Sequence, residues 1–128
     1  MAQLTESEKQ VMRDLFVGNG LTKDDLFQHR HFTIIKRTGI EKIQANKKIV
    51  IEYEEIVMER DFVVIKARAT MDGIVFVETY GEAGPENCKN TYYVMTAEKR
   101  ALSRAVLKCV GMYMHNVFGE DENVDSDE

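Results

Sequence analysis

The run from Phe62 to Thr70, FVVIKARAT, alternates without interruption, with Val63, Ile65, Ala67 and Ala69 on one side and Val64, Lys66, Arg68 and Thr70 on the other. A period of two describes a strand with one face turned to a core and one to water. Asp72-Gly73 follows directly, and this pair is a strong hairpin signal because a type I′ turn needs positive φ at both central residues. Ile74–Tyr80 is then the returning strand. Upstream, Lys48–Met58 sets Ile49, Ile51 and Tyr53 on one face, and Glu59-Arg60-Asp61 supplies the intervening turn. Three antiparallel strands with one apolar face require a covering layer.

The cover is expected from the segment after the meander. From Ala97 onward, Ala97, Ala101, Ala105 and Cys109 form a stripe of small residues at helical spacing, flanked by Leu102, Val106 and Val110. On the other flank, Arg100, Arg104 and Lys108 form a basic row. Small residues allow a helix to approach a sheet closely, and an exposed guanidinium row suits a regularly spaced anion such as a nucleic-acid backbone. An ordinary solvated edge is the commoner use of such positions.

The remainder is read as helical or irregular. Thr5-x-x-Glu8 has the spacing of a capping box ahead of Val11, Met12, Leu15 and Phe16, and Gly18 and Gly20 end that helix. Residues 21–31 read as an irregular connection with a helical turn, followed by a short strand at Phe32–Lys36. Thr38-x-x-Glu41 repeats the capping spacing before a short helix, GIEKIQ. The expected fold class is α+β: an antiparallel three-stranded meander with a long C-terminal helix packed on one face, plus an N-terminal helix.

Charge divides this chain of 128 residues in two. Its net charge is −5, yet the last ten residues, GEDENVDSDE, hold six of the 22 acids and no base, leaving 17 basic against 16 acidic residues in the body. We therefore expect one domain over residues 1–118 and an acidic disordered tail over 119–128 that attracts partner proteins or competes with nucleic acid for the body's basic surface. No apolar run reaches the roughly 20 residues of a membrane span, and MAQLTESEKQ lacks the form of a signal peptide. An intracellular, cytoplasmic protein with no membrane association is expected, its Cys88 and Cys109 reduced thiols.

The residues do not point to catalysis. His29, His31, His115 and the two cysteines lack paired ligand spacing, and no P-loop or dinucleotide fingerprint is present, so neither metal nor cofactor is expected. Glu52 and Glu54 face Lys66 and Arg68 if the strands pair as read, which makes them cross-strand ion pairs; a small metal-dependent nuclease built on these acids is the enzymatic alternative. For nucleic acid, the candidates are Arg100, Arg104 and Lys108, with Lys89 and Tyr92 just ahead of the helix. Tyr92 is the stacking candidate, whereas Tyr93 shares the small-residue side with Ala97 and belongs to the core. Lys36, Arg37, Lys42, Lys47 and Lys48 form a second basic cluster.

The Gly81-Glu82-Ala83 step, the Asn87 loop, Tyr93 and AEKRALSRAVLK together resemble the C-terminal core of phage single-strand annealing proteins, a superfamily with a β-β-β-α unit. The resemblance spans about residues 32–118. It implies a non-enzymatic single-stranded DNA-binding protein of phage or mobile-element recombination, repair or replication, acting in the host cytoplasm. It also implies homo-oligomers and annealing without nucleotide hydrolysis. The matching positions are Arg100 and Arg104, with Lys66 and Arg68 on the central strand. Replication or recombination proteins are the expected partners of the acidic tail. The rival reading is a protein-interaction adaptor with no DNA ligand.

Overall fold

The computed structural model describes residues 6–28, 32–112 and 117–122. In chain order these form α1 (Glu6–Gly18), a 3-10 turn (Lys23–Asp25), β1 (Leu26–Gln28), β2 (Thr33–Ile35), α2 (Arg37–Lys47), β3 (Val50–Glu59), β4 (Phe62–Met71), β5 (Ile74–Ala83), α3 (Tyr93–Cys109) and β6 (Val117–Gly119). The fold is α+β, with two three-stranded sheets, β3-β4-β5 and β1-β2-β6.

The meander pairs antiparallel throughout, with Glu52 opposite Arg68, Glu54 opposite Lys66 and Arg68 opposite Glu78. Asp72 and Gly73 have φ of 56° and 77°, as the tight turn requires. Val63, Ile65, Ala67 and Ala69 are buried under α3. That helix lies on the sheet main chain to main chain, because Ala97, Ala101 and Ala105 are fully buried and Gly81 faces them. A Cβ on Gly81 would press into the Ala97 carbonyl oxygen and come within 2.5 Å of the Ala101 nitrogen. The Thr79 hydroxyl donates to the Ala101 carbonyl at 2.8 Å, fastening the contact.

The opposite side of α3 is covered too. Val106 and Leu107 are fully buried in a core shared with Phe16 of α1, Ile43 of α2, Ile35 of β2 and Val117 of β6. Gly119 lies against Ser103, whose side-chain atoms would meet an added Cβ at 2.5 Å. The short strand expected at Phe32–Lys36 is β2, but its two partners were not legible as periodicity, since each has three residues and β6 joins β2 in parallel from the far end of the chain. β1 falls in the stretch expected to be irregular.

Two expectations are corrected here. Thr38 does not cap α2: Lys36 stands at the N-cap, and the Thr38 hydroxyl donates to buried Asp25 at 2.8 Å. The body does not stop at residue 118. Gly119 is in β6, the Glu120 N–H donates to the Ile35 carbonyl, and Glu120 Oε1 accepts from the Arg37 N–H at 2.7 Å. The segment through Glu122 is therefore a docked strap, and of the expected tail only residues 123–128 lie outside the described residues. The expected Thr5 cap and His29, His31 and His115 also fall outside them.

Candidate nucleic-acid interface

The basic row of α3 is the residue set that most needs tertiary information, and its expected exposure is overturned at its first two members. Arg100 is only 5% exposed. Its guanidinium donates to three main-chain carbonyls: Nε to Asp121 (2.7 Å), Nη1 to Glu82 (2.7 Å) and Nη2 to Asn87 (2.6 Å). One planar fork thus ties the C-terminal strap, the end of β5 and the loop before α3 to a single point of the helix. Three of its five N–H donors are spent on main chain, and the group is buried away from the surface a phosphate would approach.

Arg104, one turn on, is bidentate to Glu122, with Nε to Oε2 at 2.6 Å and Nη2 to Oε1 at 2.8 Å. Its Nη1 reaches the Tyr80 carbonyl (2.6 Å) and Glu82 Oε1 (2.9 Å). The Glu122 carboxylate, hydrogen-bonded to it, raises the Arg104 pKa well above its ordinary value despite burial. Glu82 is half-buried and held below the usual carboxylate range by the Arg104 partnership, which outweighs its desolvation. β5 is an edge strand, and open edges invite unwanted pairing. Arg100 and Arg104 take its Glu82 and Tyr80 carbonyls, so the row closes a sheet edge. Lys108, two turns beyond Arg100, is exposed.

Lys66 and Arg68 lie on the sheet face away from α3, apart from the helix row. Lys66 sits between Glu54 (3.5 Å) and Glu78 (3.6 Å), and Arg68 Nε is 2.9 Å from Glu78. Glu52 opposite Arg68 adds a third acid, so three acids surround these two bases. The Arg68 hydrogen bond, followed by the Lys66 charge, lowers the Glu78 pKa. The expected cross-strand pairing of Glu54 with Lys66 is present. Among the described residues no group of three or more His, Cys, Asp or Glu is arranged to hold a metal ion.

Lys89 and Tyr92 are exposed, Tyr92 at 66%. They belong to the loop that Arg100 anchors through the Asn87 carbonyl. Asn87 Oδ1 accepts from the Gly84 N–H at 3.0 Å, and Asn90 Oδ1 accepts from the Tyr92 N–H at 2.8 Å. Buried Cys88 packs beneath, its thiol 3.6 Å from the Thr96 hydroxyl. Tyr92 is the N-cap of α3, where no side chain caps the helix and no acid lies in the first turn. Such an end carries partial positive charge and open N–H groups. A cation, an exposed ring and an uncapped helix start are thereby set side by side.

The second basic cluster proves partly committed: Lys42 pairs with buried Asp25 at 2.8 Å, and this bond with those from the Thr22 N–H and Thr38 holds the Asp25 carboxyl far below its usual range. Lys36, Arg37, Lys47 and Lys48 are exposed at the two ends of α2. Arg37 and Arg100 both lie in the field of Asp121, so α2 and α3 meet around the strap; desolvation, with the neighbouring Glu120 charge, still pushes that carboxyl upward. Sequence reasoning missed Asp121 and Glu122 as arginine partners because they sit in a run whose composition reads as tail. No protein-family model, curated protein or solved structure matches the chain.

Proposed function

We propose that this protein binds single-stranded DNA without hydrolysing nucleotides, as a component of phage or mobile-element recombination or replication, and that the contact lies at the start of α3. The observation that carries the reading is the juxtaposition of exposed Lys89 and Tyr92 with the uncapped N-terminus of a 17-residue helix. Bases stack on an exposed ring, and phosphates favour a cation and the positive end of a helix dipole. Val94 and Met95, both about half exposed, extend the apolar surface beside Tyr92. The β-β-β-α order agrees with the annealing-protein resemblance. Arg100 and Arg104 enter as positioning residues that hold the loop and the β5 edge. Annealing of complementary strands and homo-oligomer formation belong to the same proposal.

The test is fluorescence anisotropy with a labelled pyrimidine-rich single strand and its duplex, at low and moderate salt. The parent should prefer the single strand and weaken as salt rises, because neutralised phosphates release counterions. Lys89→Ala plus Tyr92→Ala should lower affinity by about tenfold or more. A parent that binds neither strand at low salt removes nucleic acid from consideration. The adaptor reading, favoured by the open edge of β3, would then stand first.

A further inference from the structure

The two edges of the large sheet are treated differently. β5 is closed by Arg100 and Arg104, whereas among the described residues no main chain hydrogen-bonds to the outer side of β3. Val50 is 60% exposed, and Tyr53, Ile56 and Met58 are each more than 40% exposed. Those are high values for apolar side chains of a long strand, and a bare edge of this kind is a template for another strand.

Register divides β3 into two rows. Ile51 and Tyr53, opposite Ala69 and Ala67, are on the α3 side, where Tyr53 lies in the field of Glu98. Glu52 and Glu54 are on the outer row, opposite Arg68 and Lys66. The register breaks between Glu55 and Val57, a bulge that bends the edge away. The regular docking stretch is therefore Val50–Glu55. From Val50 to Glu59 the strand contains Glu52, Glu54, Glu55 and Glu59 and no base. Arg68 turns to Glu78, leaving Glu52 with no ion pair within 4 Å among the described residues.

We propose that the Val50–Glu55 edge of β3 takes a basic, extended segment of a partner protein as a fourth strand, with lysines or arginines at alternate positions over Glu52 and Glu54 and apolar residues between them beside Ile51 and Tyr53. Charge selects this occupant. A second β3 from another copy would set glutamates against glutamates, and like charges across a ladder are destabilising. A phosphate backbone is repelled by the same row. A cationic strand gains main-chain hydrogen bonds, completes the outer-row ion pairs and shields exposed apolar surface.

The experiment uses the full chain and a fluorescein-labelled peptide alternating lysine with valine, followed by anisotropy. The lysine peptide should bind, and a counterpart with glutamate for lysine should bind about tenfold or more weakly. Glu52→Gln plus Glu54→Gln, which keeps side-chain shape, should erase most of that difference. N-methylation of every second peptide N–H should abolish binding in one phase and be tolerated in the other, because alternate N–H groups of an added strand point at β3. The peptide arm contains no oligonucleotide, so loss of DNA binding alone overturns the function proposed above and not this one. Equal affinity of both peptides, indifference to the Gln variant, or equal effects of both methylation phases overturns the proposal. So does sedimentation showing that the peptide merely dissociates dimers of this chain.

Discussion

Arg100→Ala separates a structural arginine from a ligand-binding one. The side chain is nearly buried and donates three hydrogen bonds of 2.6–2.7 Å to the carbonyls of Asp121, Glu82 and Asn87. Hydrogen bonds with a charged partner contribute about 1.5–3 kcal/mol each, and stranding buried acceptors adds a penalty, although such terms are not additive and water enters a truncated site. We take about 3–5 kcal/mol as the expected loss, below the sum of three such bonds. A domain of this size loses roughly 3–4 °C of Tm per kcal/mol, so the midpoint should fall by about 10–20 °C. Arg100→Lys should lose about half as much, because one ammonium cannot span a fork of three acceptors. Thermal and urea unfolding followed by circular dichroism would measure both. A variant that melts within about 2 °C of the parent but no longer binds single-stranded DNA would refute the reasoning and return Arg100 to the ligand-facing set.

Further outcomes follow from other contacts. Gly81→Ala should destabilise by about 3 kcal/mol or more, since the added Cβ meets main-chain atoms of α3 that cannot rotate away; unfolding midpoints in urea check it. Glu122→Ala should cost about 2 kcal/mol by freeing the Arg104 fork, as calorimetry can show. Lys89→Ala plus Tyr92→Ala should leave Tm unchanged while weakening single-strand binding, with a shallower salt dependence from the lost phosphate contact. Asp25 has a folded-state pKa lowered by Lys42, Thr22 and Thr38. Its stabilising contribution is therefore complete above its unfolded pKa of about 3.9 and lost as pH falls below that toward the folded value. The parent should lose stability across that acidic window, and Asp25→Asn should be less stable near neutrality and flatter in acid. Equal slopes for the two proteins would remove Asp25 from the acid response.

Local grammar is what the residues carry on their own. Alternation from Val63 to Ala69, the Asp72-Gly73 turn and the alanine stripe of α3 each follow from periodicity or φ preference, which act over a few residues. Together they specified the meander, its buried face and the covering helix, and even the opposition of Glu54 to Lys66. Exposure at Lys89 and Tyr92 was legible for the same reason, because they sit in a polar loop between two regular elements. Tertiary structure alone decided the fate of Arg100 and Arg104. A guanidinium at a helix flank looks the same in sequence whether it faces solvent or a sheet edge. The partners here are main-chain carbonyls, which have no sequence signature, and one acid, Glu122, 18 residues beyond Arg104 in a run that reads as tail. The parallel β2–β6 pairing, which brings that segment back, joins three-residue strands whose closeness comes from closure of the whole chain around α3.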